Sequence, residues 1–225
     1  MQGKLFVIES GSDGAGKETQ SNLLYERLKN EGYKVMKITY PNYQSDSSAL
    51  VKMYLNGEFG TTAEDVDAYI ASTFFAGDRY ASYKKEWQDF YNSGGIIIAD
   101  RYVPSNMIYQ ASKFCSDESR EEFLEWVDGY EYGLYGLPRP DKVIFLDVPI
   151  DVSLKLIKDR ENKTKDILDR DIHEQDIDYL KSTYFNSKFV AEKYKWDIIN
   201  CSIEGNLKSK EDINNMIWKV IKNEI

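Results

Sequence analysis

The feature that most constrains this chain is the loop at residues 11–17, which reads Gly-Ser-Asp-Gly-Ala-Gly-Lys. It follows an apolar, strand-like run and precedes a helix-like run with leucines on one face. Glycines let backbone N–H groups turn toward phosphate oxygens, the helix N-terminus adds partial positive charge, and the lysine reaches the outer phosphates. The alternative is a glycine-rich turn that merely precedes a helix. The combination of strand, glycine-rich loop, lysine and helix predicts instead a site for a nucleoside triphosphate. The loop residues assigned to it are Gly11, Ser12, Asp13, Gly14, Ala15, Gly16 and Lys17.

The position after Lys17 departs from the usual pattern. Such loops place Ser or Thr there, whose hydroxyl binds Mg²⁺, whereas this chain has Glu18 followed by Thr19. One step along a helix rotates a side chain by about 100°, so Thr19 does not simply replace the hydroxyl. Either Glu18 contributes to the metal shell, or phosphates, water and other acids hold the metal.

Alternating strand-like and helix-like segments predict an α/β fold with a mostly parallel sheet of five strands flanked by helices. We expect 225 residues of this kind to form a single domain, residues 1–225. Predicted strands lie at residues 4–9, 34–40, 95–100, 141–148 and 196–201. Predicted helices lie at residues 16–32, 47–56, 64–92, 118–130, 151–159, 176–194 and 210–222.

Charge and composition exclude several classes of protein. A formal net charge of −9 argues against a broad nucleic-acid-binding surface. The longest apolar runs are of strand length, so no membrane span is expected. The N-terminus leads directly into a strand, which predicts no signal peptide. Cys115 and Cys201 lack metal-ligand spacing and are predicted to be free, buried thiols of a cytoplasmic protein.

The third predicted strand ends in Asp100-Arg101-Tyr102. In a parallel sheet of this type, the carboxyl ends of the strands meet the ligand crevice. An aspartate there is placed to bind Mg²⁺ directly or through water, and an arginine is placed to bind phosphate as a fork. A surface salt bridge is the alternative for this pair.

A second pair lies upstream, where Phe75 and Arg79 are four residues apart and therefore share a helix face. An aromatic plane beside an arginine suits a nucleobase, since one group stacks and the other donates to a carbonyl edge. A core phenylalanine with an exposed arginine is the ordinary alternative.

Together these motifs resemble thymidylate kinases, which belong to the nucleoside-monophosphate kinase group of P-loop folds. The resemblance spans roughly the whole chain and is far more specific than the phosphate loop alone. It rests on Gly11 to Lys17 with Thr19-Gln20, Tyr40-Pro41, Phe75 with Arg79, Asp100-Arg101-Tyr102 with Ser105-Asn106 and Tyr109, and Leu137-Pro138-Arg139-Pro140-Asp141.

The resemblance implies a dTMP site. Asp13 would position the acceptor phosphate or its arginine, and Arg101 would bind that phosphate. Phe75 would stack on thymine and Arg79 would bond its carbonyl. The remaining residues implied are Asn106 at the thymine edge, Tyr109 beneath the sugar where it excludes a ribose 2′-hydroxyl, and the flanking Tyr40 and Ser105.

The resemblance also implies a lid that supplies a cation to the transferred phosphoryl group. Because the corresponding loop position is Gly14, we expect that cation from a short charged segment at residues 160–173. Arg160 is assigned to the adenine or a phosphate, and Arg170 to the transferred group. Asp100 and Glu18 are the candidate ligands of the Mg²⁺ that accompanies ATP.

One further departure concerns the acceptor phosphate. The family often has an arginine shortly after the Tyr-Pro or Phe-Pro pair, but this chain continues Asn42-Tyr43-Gln44. Arg101 then binds that phosphate largely alone, or Lys52 assists. His173, the single histidine, is assigned a structural role because an anionic acceptor needs no base.

The sequence therefore predicts an enzyme that transfers the γ-phosphoryl of ATP to dTMP, and the resemblance implies a homodimer. A deoxynucleoside kinase or another monophosphate kinase is the nearest alternative, with Glu9 as the base that a 5′-hydroxyl acceptor would require. A nucleotide-binding regulator without turnover is the alternative from another class.

Overall fold

In a computed structural model, residues 3–12, 14–156, 173 and 176–225 are described. Five strands form one sheet in which every neighbouring pair is parallel, in the order β2-β3-β1-β4-β5. The strands are β1 (Lys4–Ser10), β2 (Val35–Thr39), β3 (Ile96–Asp100), β4 (Lys142–Asp147) and β5 (Asp197–Asn200). The predicted α/β class and five-stranded parallel sheet are confirmed.

Helices connect and cover the strands. They are α1 (Lys17–Asn30), α2 (Ala49–Leu55), α3 (Ala68–Ser82), α4 (Gln88–Asn92), α5 (Val103–Tyr109), α6 (Asp117–Val127), α7 (residues 150–156), α8 (Ile177–Lys193) and α9 (Lys210–Ile221). Two π-helical turns, Tyr83–Trp87 and Asp128–Leu134, follow α3 and α6. A small antiparallel hairpin of β6 (Ser202–Ile203) and β7 (Asn206–Leu207) precedes α9.

The sheet separates two apolar cores because successive side chains of a strand point to opposite faces. Leu5 and Val7 of β1 join the core beneath α3 to α6, whereas Phe6 and Ile8 pack against α1 and α9. Both faces of the central strands are therefore covered, which explains their unbroken apolar sequences. Among the described helices, none is long and apolar enough to cross a membrane.

The predicted helix at residues 64–92 is interrupted. A 3₁₀ turn at Ala63–Asp65 comes first, and α3 begins only where the Asp67 carboxylate accepts hydrogen bonds from the N–H groups of Tyr69 and Ile70. This N-terminal cap fixes the helix start. A π-helical turn then separates α3 from α4.

Helix α5 was not predicted. Its N-cap residue, Tyr102, makes no capping bond with its own side chain. Instead Glu9 of β1 accepts hydrogen bonds from the Tyr102 N–H at 3.0 Å and the Ser105 hydroxyl at 2.7 Å. The backbone N–H at the start of α5 thus donates to a residue more than ninety positions earlier in the chain.

The two cysteines are free, as predicted. Cys201 is buried, and burial raises the pKa of its thiol to about 12. The prediction of burial is wrong for Cys115, which is exposed on the turn before α6.

Candidate active site

A cavity of about 560 Å³ opens at the carboxyl ends of β2 and β3, beside the phosphate loop. Thirteen residues assigned from the sequence line it: Gly14, Gly16, Lys17, Glu18, Thr19, Tyr40, Phe75, Arg79, Asp100, Arg101, Ser105, Asn106 and Tyr109. Six others were not assigned to a ligand: Thr39, Pro41, Tyr43, Leu55, Gln110 and His173. The position agrees with the general rule that parallel sheets bind ligands beyond their carboxyl edge.

The phosphate loop turns into α1 at Gly16, whose φ of 88° lies in the left-handed region that suits glycine. Lys17 is buried, and its ammonium group donates to the Ser10 hydroxyl at 2.7 Å and the Ser12 carbonyl at 3.1 Å. Ser10 is the last residue of β1 and Ser12 belongs to the phosphate loop. These two bonds hold the lysine at the cavity wall.

Three loop residues lie behind the cavity wall rather than on it. A Cβ on Gly11 would collide with the Ser187 side chain of α8. The Ser12 hydroxyl bonds that of Ser153 in α7 at 2.7 Å, and Ala15 packs in the core beside α1. These residues fix the loop against the helices behind it.

Asp100 ends β3 with only 5% of its surface exposed. Burial raises the pKa of its carboxyl, the positive charges of Lys17, Arg101 and Lys37 lower it, and the Glu18 carboxylate raises it further. Asp100 and Glu18 both line the cavity. Within the described residues no three His, Cys, Asp or Glu side chains cluster as metal ligands, so a cation here needs additional oxygen atoms from nucleotide or water.

Arg101 has a φ of 66°, which is uncommon for a residue with a side chain. Its N–H donates to the Ile8 carbonyl at 3.2 Å, which holds this strained residue where the chain leaves the sheet. Its guanidinium carbon lies 5.1 Å from the centre of the Tyr109 ring. Arg101 and Tyr109 both line the cavity.

The predicted base pocket contains Phe75, Arg79 and Asn106. Phe75 is half-buried, and the Tyr54 ring meets it edge to face at 6.1 Å. Arg79 is almost fully buried and forms two bonds with Glu131, Nε to Oε2 at 2.6 Å and Nη2 to Oε1 at 2.7 Å. The arginine is therefore not an exposed surface residue, and its orientation is fixed from behind.

Sequence reasoning missed Glu131, which is 1% exposed in the π-helical turn after α6. Burial raises the pKa of its carboxyl, whereas the Arg79 guanidinium and the Asn106 amide act to lower it. The signal in the sequence was a single glutamate inside the apolar stretch at residues 129–137. A lone acid in such a setting is usually paired.

The remaining assigned residues surround this pocket. The Tyr40 hydroxyl accepts a hydrogen bond from the Trp87 indole at 3.0 Å, and burial raises its pKa to about 12. The Tyr109 ring stacks on the His173 ring at 6.1 Å. His173 is buried among tyrosines and lines the cavity, so it forms part of the wall.

Four other residues named in the sequence analysis are not among the described residues that line the cavity. Asp13, Arg160 and Arg170 lie outside the described residues, as does the rest of the predicted lid at residues 160–173 apart from His173. The Lys52 ammonium donates to the Tyr43 carbonyl at 3.4 Å, and Lys52 is not among the cavity-lining residues.

A family model, curated relatives and a solved structure to which this chain is similar all belong to the same kind of protein. The thymidylate kinase family model matches residues 8–213. A probable thymidylate kinase of Thermococcus onnurineus (strain NA1) is 29% identical over 225 residues, which cover 98% of each chain. The thymidylate kinase of Mycobacterium tuberculosis (strain ATCC 25618 / H37Rv) is 31% identical over 180 residues, 80% of this chain and 81% of that one. The structure of thymidylate kinase from Candida albicans matches with a TM-score of 0.67 at 22% identity, covers 99% of this chain and 92% of that one, and shows the same fold.

Proposed function

The chain belongs to the thymidylate kinase family, and from this premise we propose how its residues transfer the γ-phosphoryl group of ATP to dTMP, giving ADP and dTDP. The observation that carries the proposal is the shared cavity. Its wall contains the lysine of a phosphate loop, the arginine at the end of β3, and the Phe75, Arg79 and Asn106 group that suits a pyrimidine.

Phosphoryl transfer depends mainly on positioning and on stabilising charge. Lys17 and the backbone of residues 11–17 bind the ATP phosphates, with Thr19 beside them. Arg101 binds the dTMP phosphate, which is already anionic, so no general base is needed. From the family resemblance, Asp13 assists at the acceptor phosphate, Arg170 stabilises the transferred group, and Arg160 binds the ATP side.

The acceptor nucleoside lies in the other part of the cavity. Phe75 stacks on the thymine, and Arg79 and Asn106 bond its edge. Tyr109, stacked on His173, lies beneath the sugar and excludes a 2′-hydroxyl, while Tyr40 and Ser105 complete the wall.

The acidic residues of the cavity fit a magnesium ion that arrives with ATP. Asp100 and Glu18 both line the cavity, and Mg²⁺ prefers one or two carboxylates together with phosphate oxygens and water. When bound, the ion supplies neutralisation of phosphate charge. Asp100 would hold it from the end of β3 and Glu18 from the first turn of α1.

Glu9 does not suit the role of base that a deoxynucleoside kinase requires. One of its oxygens is occupied by the Tyr102 N–H and the Ser105 hydroxyl, and its side chain is fully buried outside the cavity lining. A nucleotide-binding regulator would leave the aromatic and arginine side of the cavity, at Phe75 and Arg79, without a role. We further propose that the chain is one catalytic domain and acts as a cytoplasmic homodimer.

Coupled ADP release tests the function with ATP and a panel of acceptors: dTMP, dUMP, UMP, dCMP and thymidine. We expect turnover on dTMP to exceed that on UMP and dCMP by at least about a hundredfold, with little on thymidine. The control omits the acceptor and measures ATP hydrolysis alone. Fast turnover on thymidine with none on dTMP, or no turnover on any acceptor despite tight ATP binding, contradicts the proposal.

A further inference from the structure

Glu131 is a buried carboxylate with three donors directed at its two oxygens. Arg79 contributes two of them, and the Asn106 amide nitrogen donates to Oε1 at 2.8 Å. Glu131 does not line the cavity, whereas Arg79 and Asn106 both do. It therefore lies behind the two residues that are proposed to contact the base edge.

The orientation of the Asn106 amide follows from these bonds. Its Nδ2 group donates to Glu131 and also to the Ser72 carbonyl at 3.2 Å, so both of its hydrogens are used. No described residue donates to Oδ1, and Oδ1 is not among the buried side-chain atoms that lack a partner. Asn106 therefore offers the cavity an acceptor and not a donor.

The orientation of Arg79 follows in the same way. Nε and one Nη2 hydrogen are directed to Glu131, and Nη1 reaches the Tyr102 carbonyl at 3.4 Å. A guanidinium has five N–H donors, so among the described contacts one hydrogen on each terminal nitrogen is left for a ligand. Arg79 therefore offers the cavity a donor.

We propose that Glu131 is a positioning residue that sets the hydrogen-bond polarity of the base pocket, so that Asn106 accepts and Arg79 donates. This inference rests on the proposed function. A pyrimidine with N3–H and a C4 carbonyl matches that polarity, as in thymine and uracil. Cytosine has an N3 acceptor and a C4 amino donor, so its acceptor would face the Asn106 acceptor and its donor would face the Arg79 donor.

Glu131→Gln tests the proposal with almost no change of shape. Glutamine supplies one acceptor and one donor where the carboxylate supplies two acceptors. If its amide nitrogen replaces Oε1, Asn106 must turn over and direct Nδ2 into the cavity. If it replaces Oε2, the donor opposes the Arg79 Nε–H. Either arrangement weakens the thymine match.

The measurement is kcat/KM for dTMP, dUMP and dCMP. We expect E131Q to lower the ratio of dTMP to dCMP about 10- to 100-fold, which corresponds to one misdirected buried hydrogen bond. The value for dUMP should fall with that for dTMP, because both bases have the same edge. Glu131→Asp keeps two acceptors and a negative charge, and should keep the dTMP to dCMP ratio within about threefold of the wild type.

Asp128→Asn is the matched control. It removes a carboxylate from the same π-helical turn, and that carboxylate binds Arg139 through two bonds of 2.6 Å outside the cavity. We expect its acceptor ratios to equal those of the wild type. Equal losses on dTMP and dCMP in E131Q, or an unchanged ratio, overturn the proposal, because a purely structural ion pair would not distinguish the bases.

A measurement on the ligand-free wild type covers the case in which E131Q fails to fold. The Asn106 side-chain NH₂ signals, assigned by their loss in Asn106→Asp, should exchange slowly with solvent because both hydrogens are bonded. Rapid exchange overturns the inferred orientation. Failure of the proposed function is distinct, since the wild type would then not phosphorylate dTMP at all.

Discussion

At the scale of single residues, two buried glutamates stabilise the acceptor side of the cavity in different ways. Among the described residues, Glu131 has a donor for each oxygen, whereas Glu9 has donors only on Oε1 and its buried Oε2 has no hydrogen-bond partner. Burial is the main influence on the pKa of Glu9 and raises it above the ordinary glutamate value of 4.5. Glu9 is therefore held at the cost of a pH-dependent destabilisation.

The sign of that pH dependence is testable. Because the folded state keeps the proton to higher pH than the unfolded chain, the stability from this group is fully present below pH 4.5 and falls as the pH rises through the folded pKa. Glu9→Gln keeps an acceptor for Tyr102 and Ser105 but cannot ionise. We expect its free energy of unfolding, relative to the wild type, to increase between pH 4.5 and pH 8.

Urea unfolding at the two pH values measures the difference. Glu122→Gln, on the exposed face of α6, is the control for loss of one surface carboxylate. A relative stability of E9Q that is the same at both pH values, or lower at pH 8, contradicts the prediction.

The sequence predicts correctly that a side chain lines the cavity when the residue lies at the end of a strand or on one face of a helix. Asp100, Arg101, Phe75 and Arg79 all line the cavity for that reason. It did not predict Glu131, because that residue comes from a π-helical turn far along the chain and acts through Arg79. A buried side chain that bonds a site residue from a distant element is brought there by tertiary packing, which local sequence patterns do not predict.

At the scale of elements, the phosphate loop is fixed by close contact with α8. The absence of a side chain at Gly11 allows Ser187 and the backbone of Tyr184 to approach the loop. The first glycine of the loop is thus required by packing, and the loop and helix should be energetically coupled.

A double-mutant cycle measures that coupling. Gly11→Ala should destabilise the protein by about 1–3 kcal/mol through overpacking and raise the KM for ATP. Ser187→Gly should cost about 0.5 kcal/mol from helix propensity. The double variant should be more stable than the sum of the two effects predicts, by at least about 1 kcal/mol.

Thermal and urea unfolding of all four proteins give the cycle. Ser182→Gly, at an exposed serine on the same helix, is the control that should add to Gly11→Ala without coupling. Strict additivity of Gly11→Ala and Ser187→Gly would show that the loop tolerates a Cβ by moving away from α8.

The elements that sequence predicted well are those with strong local signals. Strands β1 and β3 each contain four consecutive apolar residues, and α1 ends before Gly32, whose φ is 88°. Helix α5 was missed because seven residues with a proline near the start have little intrinsic tendency to form a helix. Its cap comes from Glu9, so only the folded sheet supplies the missing acceptor.

At the scale of the whole molecule, the proposed homodimer remains a prediction of the family resemblance. Apolar side chains are exposed on several helices, among them Leu50, Ile70, Tyr80 and Phe185. Sedimentation equilibrium at several protein concentrations should give twice the chain mass in the micromolar range. Because a chain of net charge −9 repels its copy, we expect dissociation to be easier at low than at high ionic strength. A single chain mass at every concentration contradicts this prediction.

The joining of Arg79, Glu131 and Asn106 also restricts how the protein can evolve. Loss of any one member leaves a buried charge or amide without its partner, which typically costs several kcal/mol. A lineage that changes its preferred base must therefore replace at least two of the three together, or pass through a poorly folded ancestor. Divergence of substrate range in such a protein should begin at exposed positions of the cavity wall such as Tyr43, where a single substitution leaves the buried groups paired.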